Sequence, residues 1–246
     1  CPRPKTQTLR EAGNDEAQVA VIVPALRRPH RVAPFLPSLA AATPEPVRID
    51  FVATAGDSAM IDEILRLAED DPAIVLHVLP PNPVGDYARK INHAYRQSST
   101  PFLFTAADDL AFHPGWLEAA LAPFASPAIG VVGTQDLAPT ERSKTGQHAT
   151  HCMIRRRYAD ELGTIDEPGK IFHEGYPHEF VDDELVETAK ARGAWTFAAG
   201  SVVEHLHPSW GKAPRDALYN GQRRRMEAGR RVYLRRRGLW TPTPSR

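Results

Sequence analysis

Two adjacent carboxylates, Asp108 and Asp109, follow an apolar run at residues 102–104. Adjacent carboxylates raise each other's pKa, and a divalent cation that prefers oxygen ligands removes that cost. A solvated turn with a helix-capping aspartate is the alternative for the dipeptide alone. The position at the end of an apolar run favours the cation, so we predict a site for a hard divalent cation here.

A second acidic pair, Asp182 and Asp183, lies near the start of a helix predicted at residues 177–192. Acidic residues are common at helix starts because the helix dipole favours negative charge, and this position needs no further function to explain it. The functional alternative is a general base, which must be ionised and must reach the hydroxyl group that it deprotonates.

Two histidines, His205 and His207, alternate in a predicted strand and therefore lie on the same face. A neutral imidazole ligates divalent metals, and two on one face favour a metal role over a structural one. A zinc site usually has four ligands, and further donors for one are present elsewhere in the sequence. These donors are His148, His151 and Cys152.

Cationic and amide side chains near the predicted strand ends are suited to binding a diphosphate. For any single one of them, an ordinary solvated surface is the favoured interpretation. The group comprises Arg27, Arg28, Arg89, Lys90 and Asn92.

The elements that must position these residues alternate between strand and helix through the first half of the chain. Strands are predicted at 19–23, 47–53, 74–79 and 101–104. Helices are predicted at 31–42, from Asp57 or Ser58 to Ala68, at 86–96 and at 114–124. This order builds a parallel sheet with helices on both faces, and ligands bind at the carboxyl ends of its strands.

The second half of the sequence is less regular. It predicts a strand at 129–132, a polar loop at 137–148, a helix at 177–192, short strands at 195–197 and 201–206, and a basic helix at 214–237. Gly146 in the polar loop suggests a segment that closes over a ligand and excludes water.

Composition excludes few functions. The 246 residues are 42% apolar, enough for a core, and Lys+Arg and Asp+Glu number 30 each. Two cysteines form no disulfide framework, which favours a reducing cytoplasm. No apolar run approaches the ~18 residues of a membrane helix, so no membrane partner is expected. The cationic patch that stands out comprises Arg223, Arg224, Arg225, Arg230, Arg231, Arg235, Arg236 and Arg237.

The ordered set of motifs resembles the family 2 GT-A glycosyltransferases. The likeness runs from about residue 19 to 210. It comprises Val21-Ile22-Val23-Pro24 with the basic stretch after it, Asp86 to Asn92, Ala107-Asp108-Asp109 in place of Asp-x-Asp, Val181-Asp182-Asp183-Glu184-Leu185 in place of Glu-Asp-x-Glu-Leu, and a late histidine. The resemblance implies a Rossmann-like α/β fold, a mostly parallel sheet flanked by helices, with a basic C-terminal helix.

The resemblance also implies roles for individual residues. Mn²⁺ or Mg²⁺ would be held by Asp109 with His205 or His207, and the base of an inverting displacement would be Asp182, with Asp183 as its competitor. The nucleotide-sugar donor, expected to be a UDP-sugar, would contact Pro24, Arg27, Asp57, Arg89, Lys90, Asn92 and Asp108. Ala107 and Val181 depart from the family motifs, and Asp57 is displaced from the usual position after the second strand.

A narrower resemblance points to phage-borne enzymes that glycosylate hydroxymethylated pyrimidines in DNA, with 5-hydroxymethylcytosine as the expected acceptor. It rests on Gly133-Thr134-Gln135-Asp136-Leu137, His148-Ala149-Thr150-His151 and the stretch from Val203 to Lys212. The arginine-rich tail suits a polyanion. Such an enzyme would work in the cytoplasm of the bacterial host.

Three alternatives remain open at this point: a transferase for a surface or capsid polysaccharide, a metal-dependent hydrolase, and a non-catalytic nucleic-acid-binding module. The expected organisation is a flexible segment at 1–18, a glycosyltransferase domain at 19–212 and a basic helical extension at 213–246.

Overall fold

The computed structural model describes residues 7–8, 17–82 and 84–240. Nine strands form one sheet whose order is β1-β4-β3-β2-β5-β8-β7-β9-β6. The strands are β1 (Gln7–Thr8), β2 (Val19–Pro24), β3 (Val47–Thr54), β4 (Ile74–Leu79), β5 (Phe102–Thr105), β6 (Leu110–Phe112), β7 (Val131–Gln135), β8 (Cys152–Arg155) and β9 (Trp195–His205).

Most of the sheet is parallel. Strands β4, β3, β2 and β5 run in the same direction, as do β7 and β9. Strand β8 lies antiparallel between β5 and β7, and β1 and β6 are antiparallel to β4 and β9. The predicted α/β architecture with a mostly parallel sheet is therefore confirmed.

Helices cover both faces of the sheet. They are α1 (Pro29–Ala42), α2 (Ser58–Asp70), α3 (Asp86–Gln97), α4 (Trp116–Leu121), α5 (Glu141–Lys144), α6 (Arg156–Glu161), α7 (Val181–Ala191) and α8 (Gln222–Arg236). One buried cluster joins the sheet to α1, α2 and α4, and the other joins it to α3, α6, α7 and α8. Residues of β2 alternate between the two clusters, Val21 in one and Ile22 in the other, which explains its continuous apolar sequence.

Several boundaries differ from the prediction for local reasons. Helix α7 begins at Val181 rather than 177 because Phe180 has a left-handed backbone with φ 74°. The two short strands predicted at 195–206 form one strand, β9, whose pairing with β7 shifts register after Thr134. The sequence analysis missed β8, which runs directly into α6 at Arg156 with no turn residue to mark its end.

The C-terminal segment packs against α7. Arg236 of α8 donates to both oxygens of buried Glu184 at 2.8–3.1 Å and to exposed Asp166. One arginine of the predicted cationic patch is thus an internal ion-pair partner. Most of the segment 1–18 and residues 241–246 lie outside the described residues. Within the described part, no helix has the length and apolarity needed to cross a membrane.

Candidate functional site

The loop after β2 is held by two residues that were expected at the donor. Lys90 of α3 is buried, and its Nζ donates to the carbonyl of Ala25 at 2.8 Å. Asp57 accepts the backbone N–H of Arg27 at 2.6 Å. Arg27 has a left-handed backbone with φ 53°, which is unfavourable for a side chain with a Cβ and needs such support. The loop follows Pro24, the last residue of β2, and places Arg28 beside the acidic pair.

Arg28 contacts both members of the acidic pair. Its Nε donates to Asp108 Oδ2 at 3.1 Å, a second nitrogen contacts Asp108 Oδ1, and a third donates to Asp109 Oδ2 at 3.2 Å. Asp108 and Asp109 are 2% and 4% exposed, so their charges need a partner inside the protein. Asp216, from the segment before α8, lies 3.7 Å from the same guanidinium.

The two carboxylates have opposite pKa shifts. Burial raises the pKa of Asp108 to about 7, against the opposing effect of Arg28. Burial also acts to raise the pKa of Asp109, but the nearby His205 and Arg28 outweigh it and hold that pKa below its usual range. Asp109 is therefore the member of the pair that remains ionised, as a metal ligand must.

An unused oxygen of Asp109 faces a histidine. Asp109 Oδ1 is buried and accepts no hydrogen bond, and His205 Nε2 lies 3.3 Å from it. The pairing of β6 with β9 sets this distance, because Leu110 is the register partner of His205. His207 Nδ1 instead accepts the backbone N–H of Ser209 at 3.1 Å. The geometry therefore favours His205 over His207 as a ligand.

Two further side chains at this place did not emerge from the sequence as site residues of the transferase. His151 was considered only as a zinc ligand. Its Nδ1 donates to the carbonyl of Thr105 at 2.8 Å, leaving the buried Nε2 without a partner, and its ring is 5.1 Å from that of His205. Tyr219, from the C-terminal segment, donates to Asp109 Oδ2 at 3.2 Å. Alternation of apolar residues can locate a strand but not this long-range contact.

A second group forms at the start of α7. His148 Nε2 lies 3.3 Å from Asp182 Oδ2, and Arg142 donates to Asp183 Oδ1 at 2.8 Å. Among the described residues, these three side chains, His148, Asp182 and Asp183, form the group whose ligand atoms lie within 4.8 Å of one another. The polar loop predicted at 137–148 contains helix α5, and these contacts join it to α7.

The members of this group differ in pKa. Burial acts to raise the pKa of Asp182, but His148 outweighs it and lowers that pKa. Burial and the charge of Asp182 raise the pKa of Asp183. Burial acts to lower the pKa of His148, and its hydrogen bond with Asp182 reverses the effect. Asp182 is thus the carboxylate that stays ionised, as a general base must be.

Tyr87 and Glu179 connect the two acidic groups. Burial raises the pKa of Tyr87, and the charges of Asp182 and Asp109 both add to the effect. Burial and Asp182 raise the pKa of Glu179 to about 7, while His205 acts to lower it. Tyr87, which donates to the carbonyl of Ala106 at 3.3 Å, therefore lies near both the end of β5 and the start of α7.

The two remaining predicted donor residues form hydrogen bonds with backbone and side-chain groups of the protein. Asn92 is fully buried: its amide donates to Phe172 O and Glu174 Oε1, and its oxygen accepts two backbone N–H groups, from Ile171 and Phe172. No atom of Asn92 is left for a ligand. Arg89 donates to the carbonyl of Pro80 and to Asp86 at 2.6 and 2.7 Å.

Solved structures with low sequence identity share this fold. A mannosyltransferase from Pyrobaculum calidifontis, in complex with GDP-mannose and Mn²⁺, is 16% identical with a TM-score of 0.69; the match covers 94% of this chain and 67% of that one. Glucosyl-3-phosphoglycerate synthase from Mycobacterium tuberculosis, with Mn²⁺, UDP-glucose and phosphoglyceric acid, is 12% identical with a TM-score of 0.59, covering 95% and 83%.

TarS of S. aureus in complex with UDP is 14% identical with a TM-score of 0.59, over 76% of this chain and 59% of that one. No curated protein matches. The family model for glycosyl transferase family 2 matches residues 20–186, which include all of β2 but its first residue, the acidic pair and the start of α7. With its GT-A fold, this chain belongs to glycosyl transferase family 2.

Proposed function

We propose that this enzyme transfers a sugar from a nucleotide-sugar donor, a UDP-sugar, to a hydroxyl group with inversion at the anomeric carbon. The observation that carries the proposal is that Asp109, which has an unused oxygen beside His205, and the ionised Asp182 both lie near Tyr87. The donors present in the similar structures, UDP-glucose and GDP-mannose, support the class of donor.

The residues at Asp109 fit a divalent cation. One buried carboxylate oxygen has no hydrogen-bond partner, and an imidazole nitrogen lies beside it. Ions such as Mg²⁺ bind through one or two protein groups and take further oxygens from substrate phosphates. When bound, the ion supplies neutralisation of charge on the departing diphosphate. Asp109 and His205 would hold it.

The remaining chemistry belongs to side chains of this chain. Asp182 accepts the proton of the acceptor hydroxyl as that oxygen approaches the anomeric carbon from the side opposite the diphosphate. Asp183, bound to Arg142, anchors α5 and keeps the start of α7 in position. Asp108 faces Arg28 and lines the donor side of the site.

The test is the stereochemistry of transfer to methanol from the UDP- or GDP-sugar that stabilises the protein most, because methyl glycosides keep their configuration in water. We expect inversion, and a kcat about 10²–10⁴-fold lower in Asp182→Asn, the usual contribution of a general base. Asp183→Asn is the matched control and should lose less than about tenfold. Retention of configuration, or a larger loss in Asp183→Asn, contradicts the assignment.

For the acceptor we propose a hydroxymethylated pyrimidine in DNA, in the phage-type branch of the family. The support is charge: α8 presents exposed arginines on a surface where Glu227 is the acidic residue of the helix. The exposed residues are Arg223, Arg224, Arg230, Arg231 and Arg235. Arginine at this density suits the closely spaced phosphates of a duplex.

The test is duplex binding at several salt concentrations. Each phosphate contact contributes about 0.9 to the slope of log K against log salt, so the double variant Arg230→Ala/Arg231→Ala should reduce the slope by about two. Arg157→Ala, which removes an exposed arginine from α6, is the control. Unchanged slope and unchanged transfer in the double variant favour a polysaccharide acceptor instead.

A further inference from the structure

Arg28 lies where a cation is expected to meet the acidic pair. Its guanidinium contacts both oxygens of Asp108 and donates to Asp109 Oδ2, and it lies 3.7 Å from Asp216 Oδ2. Carboxylates from two distant parts of the chain thus converge on one positive charge that the protein itself supplies. The Arg28 side chain is 13% exposed, so solvent contributes little to neutralising the group.

We propose that Arg28 is an internal counter-ion of the cation site, which gives up its contact with Asp109 when Mn²⁺ and the donor bind and then contacts the donor diphosphate. This proposal rests on the proposed function, because it takes Asp109 and His205 as the metal ligands. It adds that Arg28 competes with the metal for Asp109 and that it positions the donor.

The reason for the exchange is electrostatic. A divalent ion at Asp109 Oδ1 would share one carboxylate with the guanidinium at Oδ2, and like charges so close repel each other strongly inside a protein. A guanidinium can donate two parallel hydrogen bonds to a carboxylate, as Arg28 does to Asp108, and equally to a phosphate. The diphosphate therefore offers Arg28 a replacement partner when the ion takes Asp109.

The structure also explains how the arginine is returned. Two hydrogen bonds fix the loop before Arg28: Lys90 donates to the carbonyl of Ala25, and Asp57 accepts the backbone N–H of Arg27. Only the side chain has to move, so departure of the ion and nucleotide lets Arg28 neutralise the carboxylates again. The buried pair is never left without positive charge.

The experiment measures Mn²⁺ binding to the nucleotide-free protein by electron paramagnetic resonance, and UDP binding at saturating Mn²⁺ by calorimetry. The variants are Arg28→Ala and Arg28→Lys, with Arg66→Ala as a control that removes one exposed arginine from α2. We expect Arg28→Ala to bind Mn²⁺ on the order of tenfold more tightly and UDP on the order of tenfold more weakly, the scale of one partly buried charge interaction.

Unchanged or weaker Mn²⁺ binding in Arg28→Ala overturns the proposal, as does unchanged UDP binding. If Arg28→Ala shows no cooperative unfolding transition, Arg28→Lys decides, since a point charge holds the carboxylates less firmly; tighter Mn²⁺ binding supports the exchange and unchanged binding rejects it. Asp109→Asn distinguishes a failure of the proposed metal site from a failure of the proposed role of Arg28. If that variant binds Mn²⁺ as wild type does, the metal site itself is misplaced and both proposals fall.

Discussion

A buried ammonium group supports the loop that carries Arg28. Lys90 is 1% exposed, and burial lowers its pKa while the nearby Asp86 opposes the effect. Its contact with the Ala25 carbonyl joins α3 to the end of β2. In this structure Lys90, which was expected to bind the diphosphate, holds the backbone that precedes Arg28.

Lys90→Met removes the donor while keeping the length of the side chain. The Ala25 carbonyl would lose its partner, which costs about 1–3 kcal/mol of the free energy of unfolding. Urea denaturation measures this loss. Lys144→Met, at an exposed lysine of α5, should change the free energy by less than about 0.5 kcal/mol. Equal effects of the two substitutions would remove the structural role.

Which residues of the site are predictable depends on the kind of contact. Asp109, Asp182 and His205 follow recognisable strands or open a helix, so their positions at one sheet edge can be inferred from the order of elements. The loop in which Arg27 has a left-handed backbone places Arg28, rather than Arg27, against the carboxylates, and no sequence pattern reports that side-chain geometry. For the same reason the sequence left His205 and His207 equivalent.

At the scale of elements, the close approach of α8 to α7 depends on a helical glycine. A Cβ at Gly229 would lie 2.5 Å from the carbonyl oxygen of Glu179 and 3.1 Å from the ring of Phe180. The rigid backbone cannot yield as a flexible side chain would. Gly229 therefore permits α8 to pack against Glu179 and Phe180, the two residues that precede α7 and Asp182.

Gly229→Ala tests this contact because the sign of its effect is informative. At an unobstructed helical position, alanine stabilises by about 1 kcal/mol relative to glycine. At Gly229 the clash with Glu179 should outweigh that gain, lower the melting temperature and reduce transfer. Gly238→Ala, where no atom lies within 4 Å of the new Cβ, is the matched control. A stabilised and fully active Gly229→Ala protein would show that the helices have room to separate.

The order of elements in the parallel half of the sheet was predictable, and its exceptions were not. Strands β2 to β5 have apolar runs long enough to recognise, with boundaries within one residue of the prediction. Strand β8 inserts antiparallel between β5 and β7, and its place depends on pairing with residues far away in sequence. The local sequence of a strand does not identify the strands with which it pairs.

At the scale of the whole molecule, a bound metal ion should stabilise the fold, and the structure offers two candidate sites for it. The pair Asp109 and His205 and the group of His148, Asp182 and Asp183 both offer ligands. In the first, the buried Asp109 Oδ1 has no hydrogen-bond partner, whereas both carboxylates of the second are in contact with a side chain, Asp182 with His148 and Asp183 with Arg142. We therefore expect the first to hold the ion.

Removal of metal distinguishes the two places. Mn²⁺ at 100 times its Kd stabilises the folded state by about 2.7 kcal/mol, so a thermal-shift measurement with UDP, before and after chelation, should show a clear fall in melting temperature. His205→Ala should abolish this metal-dependent shift, while His148→Ala should retain it. The reverse pattern would move the ion to the start of α7.

The hydrogen bond between Tyr219 and Asp109 joins residues 110 positions apart. A ribosome makes the acidic pair and Arg28 long before it makes the tyrosine that covers them. On the growing chain, the sheet edge can therefore form with its charges already matched but without its cover. The C-terminal segment then completes the pocket last, so an incomplete chain is expected to hold ions loosely and to lack the enclosed site of the finished enzyme.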